Sequence, residues 1–200
     1  MLQSATGSGK TEAVLAPCIE GVIRSKGAES ILYIVPTRAL AIDLERRFVS
    51  ILTQRLGLPF GIRTGDVKRN GGRPCLMLTT PESFDVLMGS SNRDLQGFLR
   101  RVRRVIIDEV HPLVNQYRGK QLACLLRRLQ RRTGEPIQKI ALSATISDVK
   151  GIMDFFGFQP DAVHLLSPVQ REIVPHLIHI KREDEEIDAL LNDLHDVYKY

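Results

Sequence analysis

The sequence predicts an α/β fold with a mainly parallel sheet covered by helices on both faces. Short, continuously apolar runs such as Ile31–Val35 are typical of buried strands. They alternate with stretches whose apolar residues recur every three or four positions, as in helices. This alternation favours parallel strands joined by crossover helices. With 200 residues, 43% hydrophobic and 26% charged, the chain is long enough to bury a substantial core.

Each predicted element follows from its local pattern. Lys10 is expected near the start of a first helix, and Pro81 suits the first turn of another. Ser147 and Asp148 are predicted to cap a helix that ends near Phe156. The predicted strands are residues 31–35, 75–78, 102–107 and 137–142; the other predicted helices are residues 39–56, 81–88 and 119–132; and residues 61–74 have the composition of a loop.

The chain is predicted to contain one domain and a short appendage. Residues 1–170 form the predicted domain, and residues 171–200 are predicted to be a linker or appendage. Within the appendage, residues 173–180 have an extended pattern, and residues 183–198 have the pattern of an acidic amphipathic helix.

Composition limits the compartment and the class of protein. No apolar run approaches the ~20 residues that a membrane span requires, so we expect no membrane association. The residues after Met1 do not form a signal peptide. Cys18, Cys75 and Cys124 are widely spaced and show neither a disulfide framework nor a zinc pattern. We therefore predict a reducing, cytoplasmic compartment.

Basic residues exceed acidic residues by 28 to 23, which leaves a net charge of +5. The excess is concentrated in two arginine clusters, within residues 100–104 and 127–132. Such clusters are compatible with binding to a phosphate backbone. On charge alone, however, solvated helix faces are the better interpretation.

A phosphate-binding loop is the first motif that indicates chemistry. Ser4-Ala5-Thr6-Gly7-Ser8-Gly9-Lys10-Thr11 matches the phosphate-loop pattern, except that Ser4 stands where the pattern has its first glycine. Gly7 and Gly9 let backbone N–H groups surround phosphate oxygens. Lys10 is suited to reach the β- and γ-phosphates, and the Thr11 hydroxyl to coordinate Mg²⁺. The predicted cofactors are ATP and Mg²⁺; the alternative is a flexible turn rich in glycine and serine.

Two adjacent carboxylates follow the predicted strand at residues 102–107. Ligands of open α/β sheets bind at the carboxyl ends of the strands, so Asp108 is placed to hold Mg²⁺. Glu109 is placed to orient or deprotonate the water that attacks the γ-phosphate. An acidic turn that ends the strand is the alternative. The position of the pair, about 100 residues after a phosphate loop, favours the catalytic interpretation.

Six ordered elements resemble the superfamily 2 helicases, which include the DEAD-box and DEAH-box proteins. Besides the phosphate loop they are Pro36-Thr37-Arg38-Ala39-Leu40 (motif Ia), Thr64-Gly65-Asp66, Thr79-Thr80-Pro81-Glu82-Ser83 (motif Ib), Asp108-Glu109-Val110-His111 (motif II) and Ser143-Ala144-Thr145 (motif III). Motif Ib, the histidine of motif II and a downstream Arg118-Gly119 are more similar to the large helicase-related (Lhr-type) group than to strict DEAD-box proteins. The resemblance implies a RecA-like, three-layer P-loop NTPase domain whose first strand is truncated.

The resemblance also implies roles for individual residues. It implies catalytic roles for Lys10, Asp108 and Glu109, and Mg²⁺ binding by Thr11 and Asp108. The residues implied to bind the nucleotide are Thr6, Gly7, Ser8, Gly9, Lys10, Thr11, Glu12, Asp108, Glu109 and His111. The residues implied to contact a DNA or RNA backbone are Pro36, Thr37, Arg38, Gly65, Asp66, Thr80, Pro81 and Glu82. Ser143, Ala144 and Thr145 are implied to couple nucleotide state to domain position.

Simpler interpretations exist for the single motifs. Arg38 is explained equally well as a solvated first-turn residue, Pro81 as an ordinary helix starter, and Gly65-Asp66 as a plain turn. Their order along the chain favours binding to a nucleic-acid backbone, which a sequence-independent protein contacts chiefly through phosphate and sugar.

Parts of the family pattern have no counterpart in these 200 residues. The resemblance implies an upstream segment that recognises adenine, and a second RecA-like domain that carries motifs IV to VI and an arginine finger. We therefore expect a fragment with little ATPase activity alone. Two alternatives stay open: a P-loop ATPase switch that does not act on nucleic acid, and a non-enzymatic fragment that binds nucleic acid or a partner.

Overall fold

In the computed structural model, residues 1–5, 7–70, 72–114, 116–144 and 148–167 are described. Eight strands occur among them: β1 (Leu2–Gln3), β2 (Ser30–Ile34), β3 (Phe60–Arg63), β4 (Lys68–Asn70), β5 (Leu76–Thr79), β6 (Val102–Ile107), β7 (Gln138–Ser143) and β8 (Leu165–Leu166). They form one sheet in the order β4-β3-β5-β2-β6-β7-β1-β8. Only the β3–β4 pair is antiparallel among these strands, so the sheet is mainly parallel, as predicted.

Six α-helices connect the described strands. They are α1 (Lys10–Arg24), α2 (Arg38–Val49), α3 (Pro81–Gly89), α4 (Arg93–Arg101), α5 (Tyr117–Thr133) and α6 (Val149–Phe155). The predicted helix at residues 39–56 is α2 followed by a π-helical turn at Ser50–Arg55. Asp148 caps α6, since its carboxylate accepts a hydrogen bond from the Gly151 N–H.

The core lies on both faces of the sheet, which confirms the three-layer arrangement. Successive residues of β2 alternate between the faces because side chains of a strand point to opposite sides. Leu32 and Ile34 pack with α3, α4, α5 and α6, whereas Ile31 and Tyr33 pack with α1 and α2. Buried aliphatic and aromatic side chains dominate the core on each face of the sheet.

The loop prediction for residues 61–74 is wrong in part. Phe60–Arg63 and Lys68–Asn70 form an antiparallel hairpin at one edge of the sheet. Lys68 and Arg69 are exposed, as expected for an edge strand with one neighbour, where apolar alternation is not required. Helix α4 was not predicted either, although its buried residues Leu95, Phe98 and Leu99 have helical spacing.

The two arginine clusters lie at the amino ends of the strands. Arg101 and Arg103 flank the start of β6, and Arg131 and Arg132 lie in the last turn of α5. Arg101 donates hydrogen bonds to the Gly27 and Pro74 carbonyls. This edge is opposite the carboxyl ends of the strands, where ligands of such sheets bind. The clusters are therefore separate from the candidate site described below.

The described residues include no helix long and apolar enough to cross a membrane. The predicted cap Ser147, the domain boundary at residue 170 and the appendage at residues 171–200 lie outside the described residues. The division of the chain at residue 170 stays a prediction.

Candidate nucleotide and nucleic-acid site

The phosphate loop connects the carboxyl end of β1 to the amino end of α1. The Ser4 N–H donates to the Ser143 carbonyl at 3.2 Å, which ties the loop to the end of β7. Gly7 and Gly9 have φ angles of 71° and 84°, a left-handed conformation that favours glycine. Gly9 caps α1 without a side-chain hydrogen bond, so the first N–H groups of the helix face the loop. Helix dipole and free N–H groups together favour an anion at this point.

Lys10 is buried within the loop that precedes it. Its ammonium group donates to the Ser4 carbonyl at 2.6 Å and to the Ala5 carbonyl at 2.9 Å. Ser4, at the position where the pattern has glycine, also hydrogen-bonds Ser8 through the two hydroxyl groups, 2.6 Å apart. The loop therefore holds a positive charge in a fixed place, even though its first glycine is replaced.

Asp108 is a buried carboxylate at the end of β6. The Tyr33 hydroxyl donates to its Oδ2 at 2.7 Å, and the Glu109 N–H donates to its Oδ1 at 3.0 Å. Burial raises the pKa of Asp108 above its ordinary value, and the hydrogen bond from Tyr33 opposes that rise. Tyr33 thus holds the carboxylate of Asp108, one of the two residues predicted to bind Mg²⁺, in a fixed place.

Glu109 has a left-handed backbone, with a φ of 44°, which is uncommon for a residue other than glycine. Its Oε2 is buried and has no hydrogen-bond partner among the described residues. The His111 Nδ1 lies 3.3 Å from Oε2 without hydrogen-bond geometry, and it contacts the Ser143 Oγ at 3.0 Å. His111 therefore connects the acidic turn to the end of β7.

A cavity of about 390 Å³, here named the first cavity, brings most of the predicted nucleotide residues together. Arg47 of α2 also lines it and pairs with Glu12. Ser8 and His111 lie outside its lining. The lining residues are Gly7, Gly9, Lys10, Thr11, Glu12, Leu40, Leu44, Arg47, Asp108 and Glu109.

A second cavity, of about 270 Å³, combines three motifs predicted to contact nucleic acid. The Thr37 and Thr80 hydroxyls cap α2 and α3 by accepting from backbone N–H groups. The second cavity is therefore bordered by two helix N-termini, which favour phosphate. Its lining residues are Pro36, Thr37, Arg38, Gly65, Thr80, Glu82, Ser83 and Arg118.

Ion pairs surround the second cavity. Arg38 pairs with Asp66, and Arg118 pairs with Glu82. Burial raises the pKa of Glu82, but hydrogen bonds from Arg118, from the backbone and from Thr80 outweigh it and hold this pKa below its ordinary value. The guanidinium groups are therefore held in place by neighbouring carboxylates.

Some predicted residues do not line either cavity. Asp66 is exposed and paired with Arg38, and Pro81 is buried in the first turn of α3. Ala144 follows β7 outside both linings. Thr6 and Thr145 lie outside the described residues.

Tyr33 and Arg118 are polar residues of the site to which the sequence prediction assigned no role. Tyr33 is fully buried in an apolar strand, so its sequence context does not reveal the partner of its hydroxyl group. A buried tyrosine hydroxyl usually has a partner, which is the one signal that could have found it. Arg118 is 36 residues from Glu82, and only the packing of α5 against α3 brings them together.

The model of the DEAD/DEAH box helicase family matches residues 1–152, about three quarters of the chain. The chain belongs to the DEAD/DEAH box helicase family. Among curated relatives of this helicase domain, the Lhr helicase/probable uracil glycosylase of Mycolicibacterium smegmatis is 35% identical over 188 residues. ATP-dependent helicase Lhr-Core protein 2 of Thermococcus barophilus is 30% identical over 218 aligned positions. These matches cover 83% and 97% of the chain but 12% and 24% of the relatives, respectively.

Solved structures give the same fold. The Mycobacterium smegmatis helicase Lhr bound to ssDNA and AMP-PNP is 28% identical, with a TM-score of 0.73 over 98% of this chain and 28% of that chain. The DEAD-box helicase Mss116 bound to ssRNA and UDP-BeF, at 20% identity, shows the fold alone, with a TM-score of 0.69 over 82% of this chain and 35% of that one. The predicted RecA-like fold and the resemblance to Lhr-type helicases are confirmed.

Proposed function

We propose that the chain is the ATP-binding motor domain of an ATP-dependent DNA or RNA helicase. The observation that carries the proposal is that Lys10, Asp108 and Glu109 line one cavity at the carboxyl edge of the sheet. Motifs Ia and Ib line a second cavity of the same domain. The relatives and solved structures named above, among them a helicase bound to ssDNA and AMP-PNP, support this proposal.

The phosphate groups of ATP bind in the first cavity, against the loop and the start of α1. The Lys10 ammonium has three N–H donors, of which two go to the Ser4 and Ala5 carbonyls. One donor remains for a phosphate oxygen. The positive charge of the amine offsets the charge on the β- and γ-phosphates and favours the transition state, in which charge develops on the transferred group.

The donor set of the first cavity fits Mg²⁺. This ion prefers oxygen ligands and is usually bound by one or two carboxylates together with the phosphates of a substrate. The described residues contain no cluster of three histidine, cysteine or acidic side chains suited to a metal. Thr11 and Asp108 would therefore hold the ion with the phosphates. When bound, Mg²⁺ neutralises developing negative charge on the phosphate oxygens.

Glu109 is the proposed general base. A buried carboxylate oxygen without a hydrogen-bond partner costs on the order of 1–3 kcal/mol, and a water molecule that hydrogen-bonds it removes that cost. The carboxylate orients this water and accepts its proton as the water oxygen attacks the γ-phosphorus. The bond to the β–γ bridging oxygen breaks, and ADP is the leaving group. His111 lies next to Glu109 and contacts Ser143. We propose that these two residues respond to changes in the position of the Glu109 side chain.

The second cavity binds the phosphate–sugar backbone of a single strand. The starts of α2 and α3 provide N–H groups, and Arg38 provides positive charge. None of these groups reads bases, so the proposed binding is independent of sequence.

A second RecA-like domain is the expected partner of this one. We also propose a cytoplasmic location, since Cys18, Cys75 and Cys124 are free thiols.

The decisive test compares the wild-type chain with Glu109→Gln. A non-hydrolysable ATP analogue with Mg²⁺ should raise the melting temperature of both proteins equally, because the amide keeps the shape of the cavity. In single-turnover assays with the protein in excess over labelled ATP, the variant should be slower by about 10²- to 10⁴-fold. Equal rates would show that Glu109 is not the base.

Oligonucleotide binding separates the alternatives. The proposed motor domain binds both the ATP analogue and a single-stranded oligonucleotide, with a log–log salt slope of about −0.7 per phosphate contacted. A nucleotide switch that does not act on nucleic acid would bind the analogue alone. A non-enzymatic fragment would bind the oligonucleotide without any shift in melting temperature from the analogue.

A further inference from the structure

Arg118 is the side chain that joins the two sides of the second cavity. It lies in the first turn of α5 and reaches α3, where its Nε pairs with Glu82. Its Nη2 also donates to the Pro36 carbonyl, in the loop after β2, at 2.7 Å. One guanidinium group therefore contacts both motif Ia and motif Ib, through Pro36 and Glu82, which are 46 positions apart in the chain.

The backbone that carries Arg118, at the start of α5, is fixed by close packing. Gly119 rests against the Leu113 carbonyl so tightly that a Cβ there would lie 1.8 Å from the oxygen. Leu113 ends the short turn, His111–Leu113, that begins two residues after Glu109. The start of α5 is thus packed, backbone against backbone, on the turn that follows the acidic site. Arg118 extends from this fixed point to the second cavity.

We propose that Arg118 is a positioning residue that holds motif Ia and motif Ib at the spacing a single-strand backbone requires. The proposal rests on the function proposed above, because that function makes the second cavity the binding site. A planar guanidinium group suits this role, since its donors point in fixed directions and contact two acceptors at once. An ammonium group offers a single charged point and bridges poorly.

The contacts favour positioning over a direct hold on phosphate. The charge of Arg118 is offset by Glu82, so the pair adds little net positive charge to the second cavity. Because this pair is neutral, Arg118 displaces few of the cations that surround the phosphates when a strand binds beside it. The dependence of affinity on salt therefore distinguishes the two roles, because each phosphate neutralised by a cation contributes about −0.7 to the slope for a single strand.

The test measures binding of a fluorescent single-stranded oligonucleotide to the whole chain. Arg118→Lys keeps the charge but loses the bridge, so the affinity should fall by about tenfold. The double variant Arg118→Gln with Glu82→Gln replaces one neutral pair by another. Its affinity for the oligonucleotide should fall by a similar factor, while its salt slope stays equal to that of the wild-type chain. Melting curves with the ATP analogue should show the wild-type shift for both variants.

The chain offers a matched control on the same two helices. Arg128 of α5 pairs with Asp85 of α3 at 3.8 Å, and neither residue lines the second cavity. Arg128→Gln with Asp85→Asn therefore removes an ion pair between the same two helices without touching motif Ia or Ib, and the new amide oxygen at position 85 can still accept the hydrogen bond from Gln121. This control should bind the oligonucleotide as tightly as the wild-type chain does.

Each other outcome overturns the proposal. Wild-type affinity in Arg118→Lys would show that the bridge is not needed. A slope less negative by about 0.7 in the Gln–Gln variant would make Arg118 a direct phosphate ligand. An equal loss in the Arg128 control would assign the effect to α3–α5 packing. If the wild-type chain bound no oligonucleotide at all, the nucleic-acid part of the proposed function would fail first.

Discussion

The two cavities hold charge in different ways. In the first cavity, Lys10 and Asp108 are buried and bonded to backbone carbonyls, a backbone N–H and a tyrosine hydroxyl. In the second, Arg38 is exposed, Arg118 is half-buried, and both are paired with carboxylates. Buried charges lose their water and need fixed partners, whereas exposed pairs are screened and contribute little each. Substitutions should therefore have large effects in the first cavity and small, salt-sensitive effects in the second.

Lys10→Ala is expected to have the largest effect. The wild-type chain should gain about 2.7 kcal/mol of stability from an ATP analogue at 100 times its dissociation constant. The variant should gain almost none at the same concentration, because it lacks the cation at the phosphates. Melting temperature measured with and without the analogue checks this. Lys120→Ala, an exposed lysine on α5, is the control and should keep the full shift.

Tyr33→Phe is expected to have the next largest effect. It removes the hydrogen bond to the buried Asp108 carboxylate, and a bond to a charged group contributes about 1.5–3 kcal/mol. Urea denaturation should show a loss of that size. Tyr117→Phe, whose side chain is exposed, should change nothing. Unchanged stability in Tyr33→Phe would mean that the charge of Asp108 does not depend on this partner, contrary to the contrast between the cavities.

Glu82→Gln is expected to have the smallest effect, and that effect should depend on pH. The pKa of Glu82 is lowered in the folded chain, so its ionised form stabilises the fold at pH values above the ordinary glutamate pKa. That contribution disappears as the pH falls through the lowered pKa. Urea denaturation at several pH values should show a wild-type advantage near neutral pH that vanishes in acid. The control is Glu20→Gln, which removes the exposed ion pair between Glu20 and Arg24 on α1. A difference that persisted at low pH would argue against the ion pair as its source.

The sequence predicted the motor fold where apolar pattern and motif coincide. The strand Val102–Ile107 has its predicted bounds, and Pro81 begins α3 as expected. The edge strand Lys68–Asn70 escaped prediction because an edge strand needs no apolar pattern. Phe60–Arg63, which lies between Lys68–Asn70 and β5, escaped because it is short and has a glycine in its interior. Burial pattern thus predicts long central strands better than edges and short strands.

The site was predictable to the extent that its residues lie in continuous motifs. Lys10, Asp108 and Glu109 lie at one cavity, as their motifs suggested. Tyr33 and Arg118 required the fold, because their partners are 75 and 36 residues away. Arg118-Gly119 belonged to the family resemblance, but neither this pair nor Tyr33 revealed its partners, since only tertiary packing brings them together.

The backbone of Glu109 has a consequence for protein engineering. Its left-handed conformation suits glycine or asparagine better than glutamate, at a cost on the order of 1–3 kcal/mol. A library screened only for heat resistance would accumulate replacements at this position. The most robust clones would then be the ones that had lost turnover.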